Sequence, residues 1–277
     1  MGAAVRGAAG HDEAWEEIWR TGLLGAWPVQ CLPEAGSTND VALRLAGEGA
    51  ASGTIVLAER QIDGRGRMGR RWVSPPGAGL AVSVLLRPAL DPSDLPKVTL
   101  VAGLAVCLAV EEETGLSPRL KWPNDLLLAG KKCGGILVET SGLGQHSPAV
   151  VVGIGVNVNP ETSAFPEEIQ ARVTSLADHA GRALARGTIL AAIVRRLHET
   201  VARLEQGGFA GLLEEWKERD GLQGCQLSWL TPAGAVVRGV SLGPDGDGFL
   251  HVRDAQGKTH RVISGDITRS WEPGAGE

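Results

Sequence analysis

Arg65, Arg67, Arg70 and Arg71 crowd into seven residues, on the glycine-punctuated stretch Gly64-Arg65-Gly66-Arg67-Met68-Gly69 and just beyond it. Guanidinium groups at this density suit a polyphosphate, whose oxygens accept paired N–H donors. The stretch also satisfies the G-x-G-x-x-G expression of dinucleotide-binding loops, which needs a helix directly behind it. The chain continues Arg70-Arg71-Trp72-Val73-Ser74-Pro75-Pro76, which cannot open a helix, so that reading fails on context. A flexible loop of cations remains. A solvated surface loop is the plainer reading of the same residues.

Lysines form a second group. Lys121-Trp122-Pro123-Asn124-Asp125 leads through an Ala129-Gly130 turn to Lys131-Lys132-Cys133-Gly134-Gly135-Ile136. A lysine among apolar strand residues either snorkels or meets an anion. Taken alone, Lys131 and Lys132 could equally be exposed hairpin charge, and Pro123-Asn124-Asp125 a plain turn. In Gly153-Ile154-Gly155-Val156-Asn157 the glycines mark close approach of a backbone or a ligand. Asn157 sits amid β-branched residues and requires a hydrogen-bond partner, from the protein or from a ligand. Ser37-Thr38-Asn39 are preferred helix caps, a role compatible with ligand contact. The six histidines form no ligand-spaced cluster, and no Ser/His/Asp or Cys/His arrangement suggests a covalent intermediate.

These groups need elements to hold them. Periodicity predicts helices over residues 11–24, 37–45, 98–113, 188–204 and 209–219. Strands are expected over 54–58, 80–86, 119–122, 126–128, 136–140 and 150–158. Beyond Gly221 the pattern changes to short β-rich runs (226–230, 235–240, 249–253, 259–263) between Pro/Gly/Asp turns. That is a small barrel-like unit, too short to hold much core alone. At 277 residues the chain can hold one large domain and this small one. Lys and Arg number 27 against 32 Asp and Glu, a net −5, so no global basic field supports non-specific nucleic-acid binding. The nearly apolar run 98–110 is too short to span a bilayer, so no membrane is expected. Four scattered cysteines without a C-x-x-C pair argue against structural zinc or a disulfide framework, and fit reduced thiols in cytoplasm.

Taken in order, the motifs resemble those of the biotin–protein ligases. The matching residues are Ser37-Thr38-Asn39, Gln61, the Gly64–Arg70 loop, Trp72, Lys121-Trp122-Pro123-Asn124-Asp125, Lys132 ahead of Gly135-Ile136-Leu137-Val138-Glu139, and Gly153-x-Gly155-x-Asn157. They cover roughly residues 32–159, and the C-terminal segment resembles the family's SH3-like domain. The resemblance implies an α+β fold: a mixed β-sheet catalytic domain with flanking helices, class II synthetase-like, followed by a small SH3-like β-barrel. It divides the chain into a tail and helix (1–30), a biotin/ATP-binding catalytic domain (31–221) and the SH3-like domain (222–277).

It also implies two reactions. Biotin and ATP, with Mg2+, give biotinyl-5′-adenylate and pyrophosphate; a lysine of a biotin carboxyl carrier protein, or carrier domain of a biotin-dependent carboxylase, then takes the biotin. By the same resemblance Ser37, Thr38, Asn39 and Gln61 hold the ureido ring, and Arg65, Gly66 and Arg67 close over biotin. Lys132 and Arg67 are the catalytic candidates, with Lys132 also at the biotin carboxylate. Arg65, Arg70, Trp72, Lys121, Asn124 and Asn157 are the ATP candidates. No protein ligand for Mg2+ is assigned. A lipoate–protein ligase of the same fold is the alternative enzyme, but its Arg-Arg…Gly-Gly-Gly signature and His-Asp pair are not found. A biotin-responsive regulator would need a basic helix-turn-helix module, for which residues 1–30 have neither length nor charge, so no DNA partner is expected. A homodimer is compatible with an exposed sheet edge.

Overall fold

The computed structural model describes Leu24 and residues 27–142, 148–230, 235–263 and 266–269. Apart from Leu24, the expected N-terminal tail and helix lie outside the described residues.

Among the described residues, seven strands build one mixed sheet: β1 (Val29–Ala35), β2 (Ile55–Gln61), β3 (Leu80–Leu86), β4 (Arg119–Lys121), β5 (Asp125–Leu128), β6 (Lys131–Ser141) and β7 (Ala149–Val156), in the order β1-β2-β3-β7-β6-β5-β4. β1 and β2 run parallel, which requires a crossover, and α1 (Thr38–Gly47) supplies it. The remaining neighbours are antiparallel. β3, apolar apart from Ser83, is buried throughout, as a central strand covered on both faces must be. Alternation divides its side chains. Leu85, with Val56 and Val151, packs under Ala42 and Ala46 of α1. Val84 and Leu86, with Ile55, Leu57, Val150 and Val152, face the larger core.

That core is covered by α2 (Lys97–Thr114) and, beyond two short helices α3 (Glu167–Gln170) and α4 (Leu176–Ala180), by α5 (Arg186–Glu205) and α6 (Phe209–Lys217). α2 is apolar nearly all round and is correspondingly buried from Val98 to Val110 apart from Thr99 and Leu108. At the start of α5, Arg186 is almost wholly buried and reaches Glu59 of β2 at 3.0 Å and the Gly79 carbonyl at 3.2 Å. Among the described residues no helix is long and apolar enough to cross a membrane.

Beyond α6 come β8 (Gln226–Leu230), β9 (Val236–Pro244), β10 (Leu250–Asp254), β11 (Thr259–Val262) and β12 (Asp266–Arg269), an antiparallel sheet in the order β11-β10-β9-β8-β12. It meets the first sheet where Trp122 Nε1 donates to the Gly248 carbonyl at 2.9 Å.

The structure departs from the sequence reading in places with clear causes. β1 was not expected because its run Val29–Ala35 carries Pro33 and lacks alternation; as an edge strand it tolerates the missing N–H. β6 begins at Lys131, five residues before the expected start, with a register shift opposite Leu126/Leu127. α3 and α4 are too short to show a helical period.

Asp220 lies at the junction of the two sheets. Its backbone pairs with Leu120, one carboxylate oxygen accepts the Leu222 N–H at 2.8 Å, and the other is buried without a partner. Burial pushes its carboxyl up from the ordinary 3.8 to about 6. The folded protein therefore holds a proton here that the unfolded chain has released, and stability falls as pH rises from about 4 through 6. Asp220→Asn, which keeps the acceptor oxygen, is expected to raise the urea midpoint at pH 8 and to change it little at pH 4, as read by intrinsic tryptophan fluorescence.

Candidate active site

Gly135 of β6 and Gly155 of β7 stand opposite one another, and the indole of Trp72 lies over them. A Cβ on Gly155 would come within 2.4 Å of Trp72 Cε2; one on Gly135 would lie 3.4 Å from Trp72 Cζ3 and 3.3 Å from Lys132 Cε. Bare backbone is what lets a tryptophan lie flat on a sheet. Lys132 Nζ stands 5.7 Å from the indole centroid and pairs with Asp125 Oδ1 at 2.5 Å. Its backbone is held on both sides, the N–H donating to Arg172 O and the carbonyl accepting from Thr174 N. The neighbouring Cys133 is fully buried, and burial pushes its thiol up to about 12, an inert core group.

The first turn of α1 supplies a second wall. Ser37 occupies the N-cap position, but its side chain makes no capping hydrogen bond, so the capping role weighed for Ser37-Thr38-Asn39 is not the one the side chains play. Thr38 and Asn39 are already helical and turn toward the sheet. Thr38 donates from N and Oγ1 to Gln61 Oε1 at 2.9 and 3.2 Å. Asn39 Nδ2 donates to Leu137 O at 3.2 Å and Glu139 Oε2 at 2.7 Å, and its Oδ1 takes Ser83 Oγ at 2.6 Å. A Cβ on Gly153 would sit 2.3 Å from that same Oδ1, so this glycine makes room for Asn39. Ser83 and Glu139 are partners that sequence reasoning assigned no role. A signal was available for Ser83, the one polar side chain in an otherwise apolar strand.

The arginine loop folds back on itself. Arg65 and Arg71 form a bridge, Trp72 N donates to Gly64 O at 2.8 Å, and a single 3-10 turn spans Arg67–Gly69 with Met68 at φ 56°. Its cations diverge rather than cluster. Arg65 reaches Asp40 and Glu139, Arg67 donates to Asn124 Oδ1 at 3.3 Å, and Arg71 donates to the Ile62 carbonyl. Asn124 in turn donates to Ile136 O at 2.8 Å, which fixes the oxygen that Arg67 uses.

Two cavities meet here. The smaller, about 160 Å3, is lined by Ser37, Thr38, Asn39, Gln61, Arg65, Gly66, Arg67 and Asn124 among others. The larger, about 610 Å3, takes in Asn157 with Arg119, Phe165 and Arg172, which sequence reasoning missed. Arg70, Arg71, Trp72, Lys121, Asp125 and Lys132 line both and form the shared wall. Arg65 and Asn124 border only the smaller of these two. Asn157 is buried; its Nδ2 donates to Thr174 O at 3.1 Å, while its Oδ1 and the indole N–H of Trp72 have no partner. Buried polar atoms left open at a cavity wall suit a polar ligand. Among the described residues no group of three or more His, Cys, Asp or Glu could hold a metal ion.

Gly155→Ala tests the floor directly. The added methyl must displace the indole, so a fold that survives with about 1–3 kcal/mol lost to overpacking is expected. A red-shifted tryptophan emission in the native state would report the displaced ring; an unchanged spectrum and midpoint would show that the ring does not rest on the glycine.

Comparison with known proteins agrees with this geometry. A sequence model of the Biotin/lipoate A/B protein ligase family matches residues 34–157, the span that holds every predicted site residue. The bifunctional ligase/repressor BirA of Bacillus subtilis is 35% identical over 231 residues, covering 83% of this chain and 70% of its own. The biotin–[acetyl-CoA-carboxylase] ligase of Mycobacterium tuberculosis is 34% identical over 265 residues, 91% of this chain and 94% of the relative. Among solved structures, the biotin protein ligase of Aquifex aeolicus in complex with biotin and ATP superposes with a TM-score of 0.77 at 31% identity, covering 87% of this chain and 99% of that one. On sequence and on structure alike, this chain belongs to the biotin–protein ligase family.

Proposed function

We propose that this chain is an ATP-dependent biotin–protein ligase in which the smaller cavity takes biotin, the larger takes ATP, and Lys132 stands where the two reacting groups meet. The observation that carries the assignment is the shared wall, on which Lys132, Lys121, Arg70 and Arg71 border both cavities. In the first step a biotin carboxylate oxygen attacks the α-phosphorus and pyrophosphate leaves. Two anions must therefore touch. At 4 Å two unit charges repel by about 4 kcal/mol at an effective dielectric of 20, and cations on the common wall offset that term. In the second step a lysine amine of a biotin carboxyl carrier protein attacks the acyl carbon, AMP leaves, and a proton passes to solvent. Neither step needs a covalent enzyme intermediate.

The other residues divide accordingly. Thr38 and Gln61, with Ser37 and Asn39 beside them, would present the ureido ring with hydrogen-bonding groups at the closed end of the smaller cavity. Arg67, held by Asn124, would restrain the adenylate. Trp72 would offer its face and open N–H to the nucleotide, and the Asn157 oxygen an acceptor for an amino group of the base. Arg119 and Arg172 extend the cationic lining of the ATP cavity. Asp125, on the shared wall and paired with Lys132 through Oδ1, would hold with its other oxygen the magnesium that accompanies ATP, and that ion would neutralise phosphate charge, in keeping with an ion bound mainly through phosphates and one or two carboxylates. We assign residues 31–221 to the catalytic domain and 222–277 to an SH3-like domain. Its strand β12 places Ile267 at the smaller cavity. ATP use and four free cysteines accord with work in the cytoplasm.

The test is the intact mass of a carrier domain incubated with this protein, MgATP and biotin, with lipoate in parallel. A single biotinyl adduct that disappears without ATP is expected; a lipoyl adduct would reassign the pocket, and no adduct from either acid would end the ligase reading. Lys132→Ala is expected to slow adenylate formation by about 10²–10³-fold, the effect of removing one positioned charge-stabilising group. A normal burst of pyrophosphate from that variant would place the catalytic cation elsewhere.

A further inference from the structure

One carboxylate oxygen joins the two halves of the smaller cavity. Glu139 Oε2 accepts from Asn39 Nδ2 at 2.7 Å, at the α1 end, and from Arg65 at 2.8 Å, in the arginine loop. The same terminal nitrogen of Arg65 lies 2.6 Å from Asp40 Oδ1, on the first turn of α1. That nitrogen thereby donates a hydrogen bond to one carboxylate and forms an ion pair with a second, on a different element. The guanidinium that sequence reasoning offered to a phosphate is thus flanked by two carboxylates at one terminal nitrogen, while its Nε stays buried without a partner. The loop is tethered at this end, and its tether runs to the residue that buttresses the predicted ring contacts.

We propose that Glu139 is a positioning residue, a latch that closes the arginine loop onto the biotin cavity and couples that closure to the placement of Asn39, with Asp40 as its weaker second arm. Arg65 is then the bolt of the latch through its terminal nitrogen, with Arg67, Arg70 and Lys132 turned to the adenylate. Because none of Asn39, Asp40, Arg65 and Glu139 lines the larger cavity, the latch governs biotin and adenylate retention and not nucleotide affinity. The consequence for catalysis rests on the proposed ligase activity, whereas the tether itself belongs to the ligand-free protein.

Two measurements on Glu139→Gln and Asp40→Asn separate these. In the absence of any ligand, tryptic cleavage at the arginines of the loop, followed by mass spectrometry, reads how often the latch opens. Loss of the Glu139 charge removes a charge-assisted hydrogen bond, and cleavage about tenfold faster is expected. The Asp40 arm is exposed, and about twofold is expected there. In the presence of biotin and MgATP, E139Q is expected to raise the biotin KM and to speed release of the adenylate while the ATP KM stays fixed. D40N speeds release and leaves the biotin KM near its original value, since the Asn39 side chain bonds to Glu139, Leu137 and Ser83 and not to Asp40. Loop cleavage at the original rate in both variants would overturn the latch, as would a shift in ATP KM as large as that in biotin KM. Should E139Q fail to fold, as judged by its melting temperature, D40N alone decides by cleavage and release. A wild-type protein that makes no adenylate would sink the ligase reading and leave the cleavage rates to judge the latch.

Discussion

The absence of two β-carbons, at Gly135 and Gly155, sets the depth of the site. Only over bare backbone can the Trp72 ring lie as it does, and its position draws the start and end of the arginine loop together through the Trp72 N to Gly64 O bond. The same floor brings Lys132 beside the ring, 5.7 Å from its centroid, so that one side chain faces both cavities. A methyl group at Gly155 would lift the ring into the space where two substrates have to meet, and one at Gly135 would crowd the end of Lys132. Gly153 extends the principle by two residues along β7, where it admits Asn39. Alternate glycines on one strand thus clear the same face at successive positions, as the period of two requires.

A floor of this kind is useful only if the strands that carry it are fixed in register. Asn157 N donates to Cys133 O, and Lys132 exchanges hydrogen bonds with Arg172 and Thr174, so the strand start at Lys131–Cys133 is paired although it lies beyond the β7 ladder. On the opposite side the Trp122 indole is anchored to Gly248 of the second sheet, next to Asn124 and Asp125, the partners of Arg67 and Lys132. The C-terminal sheet therefore acts on the site by bracing the turn that orients two cations, besides lending Ile267 to the cavity wall.

The sequence made the chemistry more legible than the framework. Apolar runs such as Leu80–Leu86 and 98–110 announced the central strand and the buried helix, because burial on both sides leaves a continuous apolar signature. The glycines of β7 announced a close approach, and the structure shows what approaches. β1 stayed hidden because an edge strand with a proline obeys no pattern that local reading detects. The first turn of α1 misled in an instructive way: Ser, Thr and Asn are the residues of helix caps, yet here Thr38 and Asn39 bond to β2, β3 and β6, strands distant in sequence. Likewise Glu139 and Asp40 are unremarkable one by one. Their role arises from a meeting of α1, β6 and the loop that only tertiary structure creates.

Four arginines and three lysines on the loop and the facing hairpin could be expected to repel one another, and the expected cost of assembling them is large. The structure resolves the difficulty by dispersal. Arg65 rests between two carboxylates, Lys132 on Asp125, Arg67 reaches a neutral amide and Arg71 a carbonyl, so these four cations have different partners. Entry of an anionic substrate is then an exchange of partners more than the neutralisation of bare charge. Such exchange weakens binding relative to an unpaired cation, because each existing bond has to be given up or shared. It also grades the cations: those held by a neutral group yield easily, and the one held by two carboxylates hardly at all. A polyphosphate should therefore collect Arg71 before Lys132, and Lys132 before Arg65, an order in which the group with the strongest restraint keeps the loop in place while the others turn to the reacting atoms.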